Sequence, residues 1–456
     1  MHKIINFFKN KKVIFLVLVL SFAILAGLWN VVSGGYDKQN KTILFLKKII
    51  PSAISRKVRD TIFIIPDLKE RNKFLSTQVN KYEQGLNGEL FNEEIVLSKK
   101  NKKEYSLKEF FLPFPRLDMR LGWAGVKNSR RAHHFAIVED RVVVISGEGK
   151  TIYFKKINIL NKKLNQIEIP NNIKSIMNEN NSKLIGIRDL FIEDEKIYIS
   201  IISKHLKEFT IDAYRADLNF EKLNFKLFFK TKAYWPQYNV FSGGRFSTYK
   251  DNKILFSVGF SGVRRAAQQL NTLLGKIISI DKSTSEHKII SMGHRNPQGL
   301  FYVKNLNIII NTEHGPKGGD EININFQEDD KIPNFGWDVS SYGTEYDGSD
   351  LYKKSHAKYG FIEPFKYYVP SIGISQMIYM PNYFNQDDAK YLLVSSLRAG
   401  SIYFIKINDK FNKILDEDRL YFSQGRIRDI EYDKENNVLF LLFELTPSIG
   451  VLELNN

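Results

Sequence analysis

The stretch Gln298–Asn323, QGLFYVKNLNIIINTEHGPKGGDEIN, reads as a strand, a polar turn, a second strand and a loop. The run NLNIIINT is a strand by its β-branched content, and the glycines and the proline after it exclude a helix. Thr312–Asn323 therefore leaves a strand as a loop in which backbone carbonyls and carboxylates can turn toward one point. Hard cations such as calcium want such an oxygen-rich cage. A solvated turn is the plain alternative for this segment taken alone.

The strand–turn–strand unit recurs. Apolar cores begin at Arg141 (RVVVIS), Lys196 (KIYIS), Lys253 (KILFS), Asn307 (NIIINT), Tyr391 (YLLVSS) and Val438 (VLFLLF), spaced 55, 57, 54, 84 and 47 residues apart. Each follows a second apolar stretch across a polar turn: HHFAIVED, IRDLFIED, GRFSTYKDN, QGLFYVKN, SQMIYMPN and RDIEYDKENN. Six such units, each with room for about four strands, describe a β-propeller. A pair of β-sandwiches would leave the six similar units unexplained.

The first strand of each propeller blade lines the central channel, so the residues that open these strands converge at one mouth. Here they are polar: His133 and His134, Arg188 and Asp189, Arg245, Asn296 and Gln298, Gln376, and Arg426 and Arg428. Arg426 and Arg428, two apart on a strand, face the same side and suit a polyanionic ligand. Pairing of such arginines with structural carboxylates is the alternative.

The remaining chain sets the context. Length 456 admits one large β domain or two to three smaller ones. The absence of cysteine excludes disulfides and thiolate metal sites, and 43% hydrophobic content excludes a disordered chain. The net charge of +17 is scattered lysine without an ordered stripe, a zinc knuckle or a nucleic-acid motif, so no nucleic acid partner is expected. Val13–Val32, VIFLVLVLSFAILAGLWNVV, is apolar enough to span about 30 Å as a helix. Lys3, Lys9, Lys11 and Lys12 precede it, which keeps the short tail in the cytoplasm. The expected order is a cytoplasmic tail (1–12), a transmembrane signal anchor (13–32), a partly helical stem (33–112) and an all-β six-bladed propeller (113–456). The propeller then lies outside the cytoplasm, in the periplasm or at the cell surface, on a single-pass membrane protein. A cleaved signal peptide is the alternative to the anchor.

The ordered motifs GHRNPQGL, TEHGPKGGDEIN, NFGWDVSSYGTEYDG, PSIGISQM, SSLRAGSIY and GRIRDI resemble those of the soluble pyrroloquinoline-quinone (PQQ) glucose, sorbosone and aldose sugar dehydrogenases. The likeness covers about residue 243 to the end and is weak over 113–242. It implies a six-bladed propeller with a quinone over the channel mouth, held by Arg295, Asn296, Arg426 and Arg428. Arg398 stands at a lysine position of the family, and Asn181 aligns loosely with a quinone-contacting glutamine. The resemblance also implies calcium on the backbone carbonyls of Gly315 and Pro316, acting as a Lewis acid. Asp320 and Glu321 match acidic positions near a further calcium.

The departures concern the chemistry. The family's histidine base and its carboxylate partner fall on Phe241 and Phe260. A phenyl ring accepts no proton, and general-base help is worth about 10²–10⁴-fold in rate. His134, with His133 beside it, is the candidate substitute base. The expectation is an anchored PQQ- and calcium-dependent oxidoreductase acting on a sugar or another alcohol, with its electron acceptor undefined. The alternative is a ligand- or carbohydrate-binding propeller that has lost the redox chemistry.

Overall fold

The structure is a computed structural model. It describes Ser76 and residues 88–97, 103–114 and 132–455, apart from short stretches at 157–162, 238–240, 251, 328–330, 381, 383 and 385–388. The chain divides into two compact units, 1–80 and 81–456. The second is the propeller.

Two strands come first, β1 (Leu90–Leu97) and β2 (Glu104–Phe111). Blade one is β3 (His134–Val138), β4 (Arg141–Ile145), β5 (Thr151–Lys155) and β6 (Ile167–Ile169), followed by the short helix α1 (Ile173–Glu179). Blade two is β7 (Ser182–Glu193), β8 (Lys196–His205), β9 (Glu208–Asp217) and β10 (Lys226–Trp235). Blade three is β11 (Gly243–Thr248), β12 (Lys253–Val258), β13 (Lys276–Asp281) and β14 (His287–Met292). Blade four is β15 (Pro297–Val303), β16 (Ile308–Glu313), β17 (Asp320–Asn325) and β18 (Lys366–Tyr368). Blade five is β19 (Ile374–Met380), β20 (Lys390–Ser396), β21 (Ser401–Ile407) and β22 (Ile414–Tyr421). Blade six takes β23 (Ile427–Asp433), β24 (Val438–Phe443) and β25 (Ser448–Leu454).

Blades one to five are antiparallel sheets in simple meander order, and blade six is antiparallel in the order β1-β2-β25-β24-β23. The inner strands β3, β7, β11, β15, β19 and β23 each touch the next, and β23 touches β3, so the ring closes. The continuous apolar runs of the sequence are second strands buried on both faces. In β4, Val142 and Val144 point into the core between blades six and one, and Val143 and Ile145 into that between blades one and two. Apolar clusters fill all six junctions between consecutive blades.

Closure corrects the expected domain boundary. β2 pairs along β25, from Tyr105 opposite Leu454 to Phe111 opposite Ser448, and β1 adds outside it. Blade six thus joins the C-terminal strands to chain that the sequence reading placed in the stem. The physical reason lies in the alternation of EYSLKEFF. Tyr105 and Leu107 enter the core between blades five and six, while Phe110 enters the core between blades six and one. The expected anchor and cytoplasmic tail lie outside the described residues. Among the described residues no helix is long and apolar enough to cross a membrane.

Leu107 is fully buried in that closing strand. Leu107→Ala is expected to destabilise the propeller by about 2–5 kcal/mol, measured by urea unfolding. A change of only a few tenths, as for a surface residue, would show that β2 is no integral strand.

Candidate functional site

The six inner strands meet through side chains near the axis, close to where each begins except in β7, whose contact comes from Asp189, well inside Ser182–Glu193. Arg245 on β11 is the centre. Its Nη1 lies 2.9 Å from Asp189 Oδ1 on β7, 2.9 Å from His134 Nδ1 on β3 and 3.3 Å from Asp429 Oδ2 on β23. Its Nη2 donates to Asp429 Oδ1. Arg428, also on β23, donates to Gln298 Oε1 on β15 at 2.8 Å, and Ser375 on β19 donates to the Arg428 carbonyl at 2.6 Å. Guanidinium groups from blades three and six thus converge toward the axis, where the sequence placed them.

The surroundings fix the charge of each group. Burial lowers His134 to about 4 despite its 2.8 Å contact with Asp429, so the imidazole is neutral at pH 7. Burial would raise Asp429, but Arg245 and His134 outweigh it and keep the carboxylate ionised. Burial raises Asp189 to about 7 against the pull of Arg245. Glu431, the next inward residue of β23 on that face, is raised to about 8 by burial, with Asp429 and Asp189 adding to the effect. His134, Asp189 and Asp429 offer three metal-ligand atoms within 4.8 Å of one another. Arg245 Nη1 contacts all three, so a guanidinium is already the cation of this cluster.

His134 is therefore seated inside an ion cluster, 2% exposed, rather than at an open surface. Its Nε2 is buried and has no hydrogen-bond partner among the described residues. His133 packs its ring 5.0 Å from that of Phe114, and its Nδ1 accepts the Gly147 N–H at 3.4 Å.

Arg426 and Arg428 share one counter-ion that the sequence reading missed. Arg426 Nε donates to Glu444 Oε2 at 2.9 Å, and Arg428 Nε to Glu444 Oε1 at 2.6 Å. Burial would raise Glu444, but the two arginines hold it at about 2. The triad keeps a net charge of about +1 at neutral pH. The only sequence signal was a lone acid ending the apolar run VLFLLFE.

The other candidates divide. Asn296 is buried and joins blades three and four, its Oδ1 accepting the Gly243 N–H at 3.2 Å and Gln298 Nε2 at 3.1 Å. Arg398 is exposed on the turn after β20, which abuts the turn at Gly425 that leads to Arg426. Asn181 stands apart. It is exposed at the start of β7, its carbonyl 3.2 Å from His205 Nδ1, and seven residues of strand, on the order of 20 Å, separate it from Arg188.

Phe241 and Phe260 form a ring pair with centroids 5.8 Å apart and planes at 13°. Trp337 meets Phe260 edge-on at 5.1 Å, and Tyr352 packs on Trp337. The Arg295 guanidinium lies over this group, 4.1 Å from the Phe241 centroid and 5.1 Å from that of Trp337. It donates from Nη1 to the His314 carbonyl at 3.0 Å, and its backbone N–H donates to Glu313. Cation–π attraction takes the role that a carboxylate plays for Arg245, Arg426 and Arg428.

In the Gly315–Glu321 loop the residues have separate tasks. Asp320 accepts backbone N–H groups from Gly315 at 3.1 Å, Gly373 at 2.7 Å and Ile374 at 3.0 Å. That engagement makes Asp320 a staple between blades four and five and a poor fit to a calcium ligand. Glu321 is buried 3.4 Å from His356, and burial followed by the nearby Glu313 pushes its carboxyl well above the ordinary range. The Pro316 carbonyl meets only a distant donor among the described residues, Ser371 Oγ at 3.5 Å. The Pro316 carbonyl therefore retains capacity for a hard cation, and the Gly315 carbonyl is an oxygen donor of the same class.

The chain belongs to the glucose/sorbosone dehydrogenase family, whose profile matches residues 137–446. It is 30% identical over 204 residues to the aldose sugar dehydrogenase YliI of Escherichia coli strain K12, covering 41% of this chain and 53% of that protein. It is 23% identical over 296 residues to quinoprotein glucose dehydrogenase B of Acinetobacter calcoaceticus, covering 47% of this chain and 61% of that one. The chain thus spans just over half the length of these relatives. Among solved structures, the apo form of the soluble E. coli aldose sugar dehydrogenase has a TM-score of 0.56 at 20% identity, covering 71% of this chain and 96% of its own. The PQQ-bound aldose sugar dehydrogenase of Streptomyces coelicolor has a TM-score of 0.50 at 17% identity, over 71% and 93%. These structures share the fold.

The axial cluster makes stability depend on pH with a defined sign. Glu431 and Asp189 keep protons in the folded state that the unfolded chain releases near pH 4, so each loses stability as pH rises toward about 8 and about 7. His134 acts oppositely between about 4 and its unfolded value of 6.5, offsetting one of the two acids there. The melting temperature should therefore fall most steeply near pH 6.5 to 7, where both acids still hold protons and His134 no longer opposes them, and go on falling to about 8 through Glu431 alone. Glu431→Gln should flatten that fall in a thermal melt series, and an unchanged slope would remove Glu431 as its cause.

Proposed function

We propose that this protein is a sugar dehydrogenase-like propeller that binds a quinone polycarboxylate and a carbohydrate at its channel mouth without the family's acid–base turnover. The observation carrying this reading is the Phe241–Phe260 ring pair beneath Arg295. Where the resemblance calls for a proton acceptor and its partner, two phenyl rings stack on each other.

The donor set suits PQQ as ligand. Arg426 and Arg428 keep a net positive charge beside Glu444, Arg398 is exposed nearby, and the buried amide nitrogen of Gln424 has no partner among the described residues. These groups would receive the carboxylates, with Asn296 and Gln298 fixing the rim. Calcium would sit on the carbonyls of Gly315 and Pro316, with Asp320 bracing the loop instead of ligating. Bound there, the quinone would supply a two-electron acceptor. The candidate substitute base is poorly placed to take the sugar hydroxyl proton, since His134 lies buried with its pKa near 4.

Membrane attachment through residues 13–32, with the propeller outside the cytoplasm, belongs to the same reading and is supported by the apolar run and the lysines before it. The carbohydrate ligand class is supported by the family.

PQQ with calcium should raise the melting temperature of the full-length protein, and Arg426→Ala should abolish the shift. Absence of any shift at saturating quinone would sink the cofactor part of the proposal. The loaded protein should reduce an artificial dye with aldoses at least about 10²-fold more slowly than a family member with an intact acid–base pair. Turnover at a comparable rate would show that another base serves.

A further inference from the structure

Arg188 sits at a break in the inner strand of blade two. The β7–β8 register passes from Ile187 opposite Ile201 to Asp189 opposite Ser200, which leaves residue 188 without a partner in the ladder. Such bulges re-aim a side chain. The neighbouring inner strand has a break of its own between Gly243 and Phe246. Within that break Gly244 has φ +106°, and a Cβ built there would come within 2.6 Å of the Arg188 Cβ and 2.8 Å of Ile211 Cδ1. Two adjacent bulges and a missing side chain thus open a notch that seats Arg188.

The adjacent carboxylate is not its partner. Asp189 binds Arg245 at 2.9 Å and the Phe246 N–H at 2.6 Å. Nε and Nη2 of Arg188 are buried, and no acceptor among the described residues meets them. The arginines at or near the starts of other inner strands differ: Arg245 has Asp189 and Asp429, and Arg426 and Arg428 have Glu444. Burying donors of a charged group without an acceptor is unfavourable. The residue as a whole is only half-buried, so a solute can reach part of the side chain, while Nε and Nη2 themselves are enclosed and would meet a ligand only after the guanidinium turns outward.

We propose that Arg188 receives an anionic group on the carbohydrate, so that the ligand is an acidic sugar and not a neutral aldose. The planar guanidinium fork matches the paired oxygens of a carboxylate or a phosphate. A uronate and a sugar phosphate both carry that chemistry. The inference rests on the reading of the mouth as a carbohydrate site and names the ligand class for it.

The test is calorimetric titration of the full-length protein at low ionic strength with glucose, glucuronate and glucose 6-phosphate. At least one acid should bind about tenfold or more tightly than glucose, and which one does so separates the carboxylate from the phosphate source. Arg188→Gln should remove the preference, and Arg188→Lys should restore part of it. Ligand-free Arg188→Gln should melt no lower than the parent, because an unpaired buried charge is removed, whereas a purely structural arginine would lower the melting temperature. Equal affinity for all three sugars, no binding of any, or an undiminished preference in Arg188→Gln would overturn the proposal. Quinone binding is read separately through Arg426. Acid preference without quinone binding sinks only the cofactor reading, and quinone binding without acid preference sinks only this one.

Discussion

One guanidinium joins the inner strands of four blades. Arg245 reaches from blade three to Asp189 of blade two, His134 of blade one and Asp429 of blade six, all sealed from solvent. A buried ion cluster of this kind contributes little net stability if complete, because desolvation opposes the attraction, but removing one member leaves charges uncompensated. It therefore acts chiefly as a registry device, since the blades must approach at one relative height for the contacts to close. The mouth depends on that height. Arg428 belongs to the same strand as Asp429, and its bond to Gln298 crosses to blade four.

A second constraint works at the periphery. Pairing of β2 with β25 places chain from both ends of the propeller unit in one sheet, so blades six and one cannot part without breaking a ladder. The axial cluster and the closing strand bear on the same junction from opposite sides. Phe110 and Phe114, from the early part of the unit, pack against Val438 and Phe440 near its end. Rigidity at the mouth thus originates partly in residues far from it.

The sequence showed the ring because propeller second strands are buried on both faces and announce themselves as apolar runs such as RVVVIS and VLFLLF. It hid the closing strand because EYSLKEFF finds its partner more than 300 residues away, beyond any local pattern. The convergence of polar residues at the strand starts was likewise legible, since blade repetition aligns them. Their pairing was not. Nothing in GRIRDI tells that its aspartate binds Arg245 of another blade, or that its arginines turn to Glu444. Asp320 shows the limit most clearly: an acid beside glycines reads as a cation ligand, yet three backbone N–H groups from two blades claim it.

The mouth solves the problem of placing several arginines together in two ways, and the difference decides what each can do. Arg245, Arg426 and Arg428 carry carboxylate partners, so their fields are largely answered within the protein. Arg295 is answered by aromatic faces, an arrangement possible only because Phe241 and Phe260 stand where a polar pair would compete for its guanidinium. Burial lowers its pKa, as expected of a cation whose surroundings offer polarisable rings in place of water. On the proposed reading, two phenyl rings at these positions do more than leave out a proton acceptor, because they make an arginine of the mouth part of an apolar cluster. The positive charge left for an incoming anion is then concentrated in the excess cation of the Glu444 triad, in exposed Arg398 and in Arg188. If the mouth is the ligand site proposed for it, such an arrangement would select ligands by charge before any chemistry could act on them.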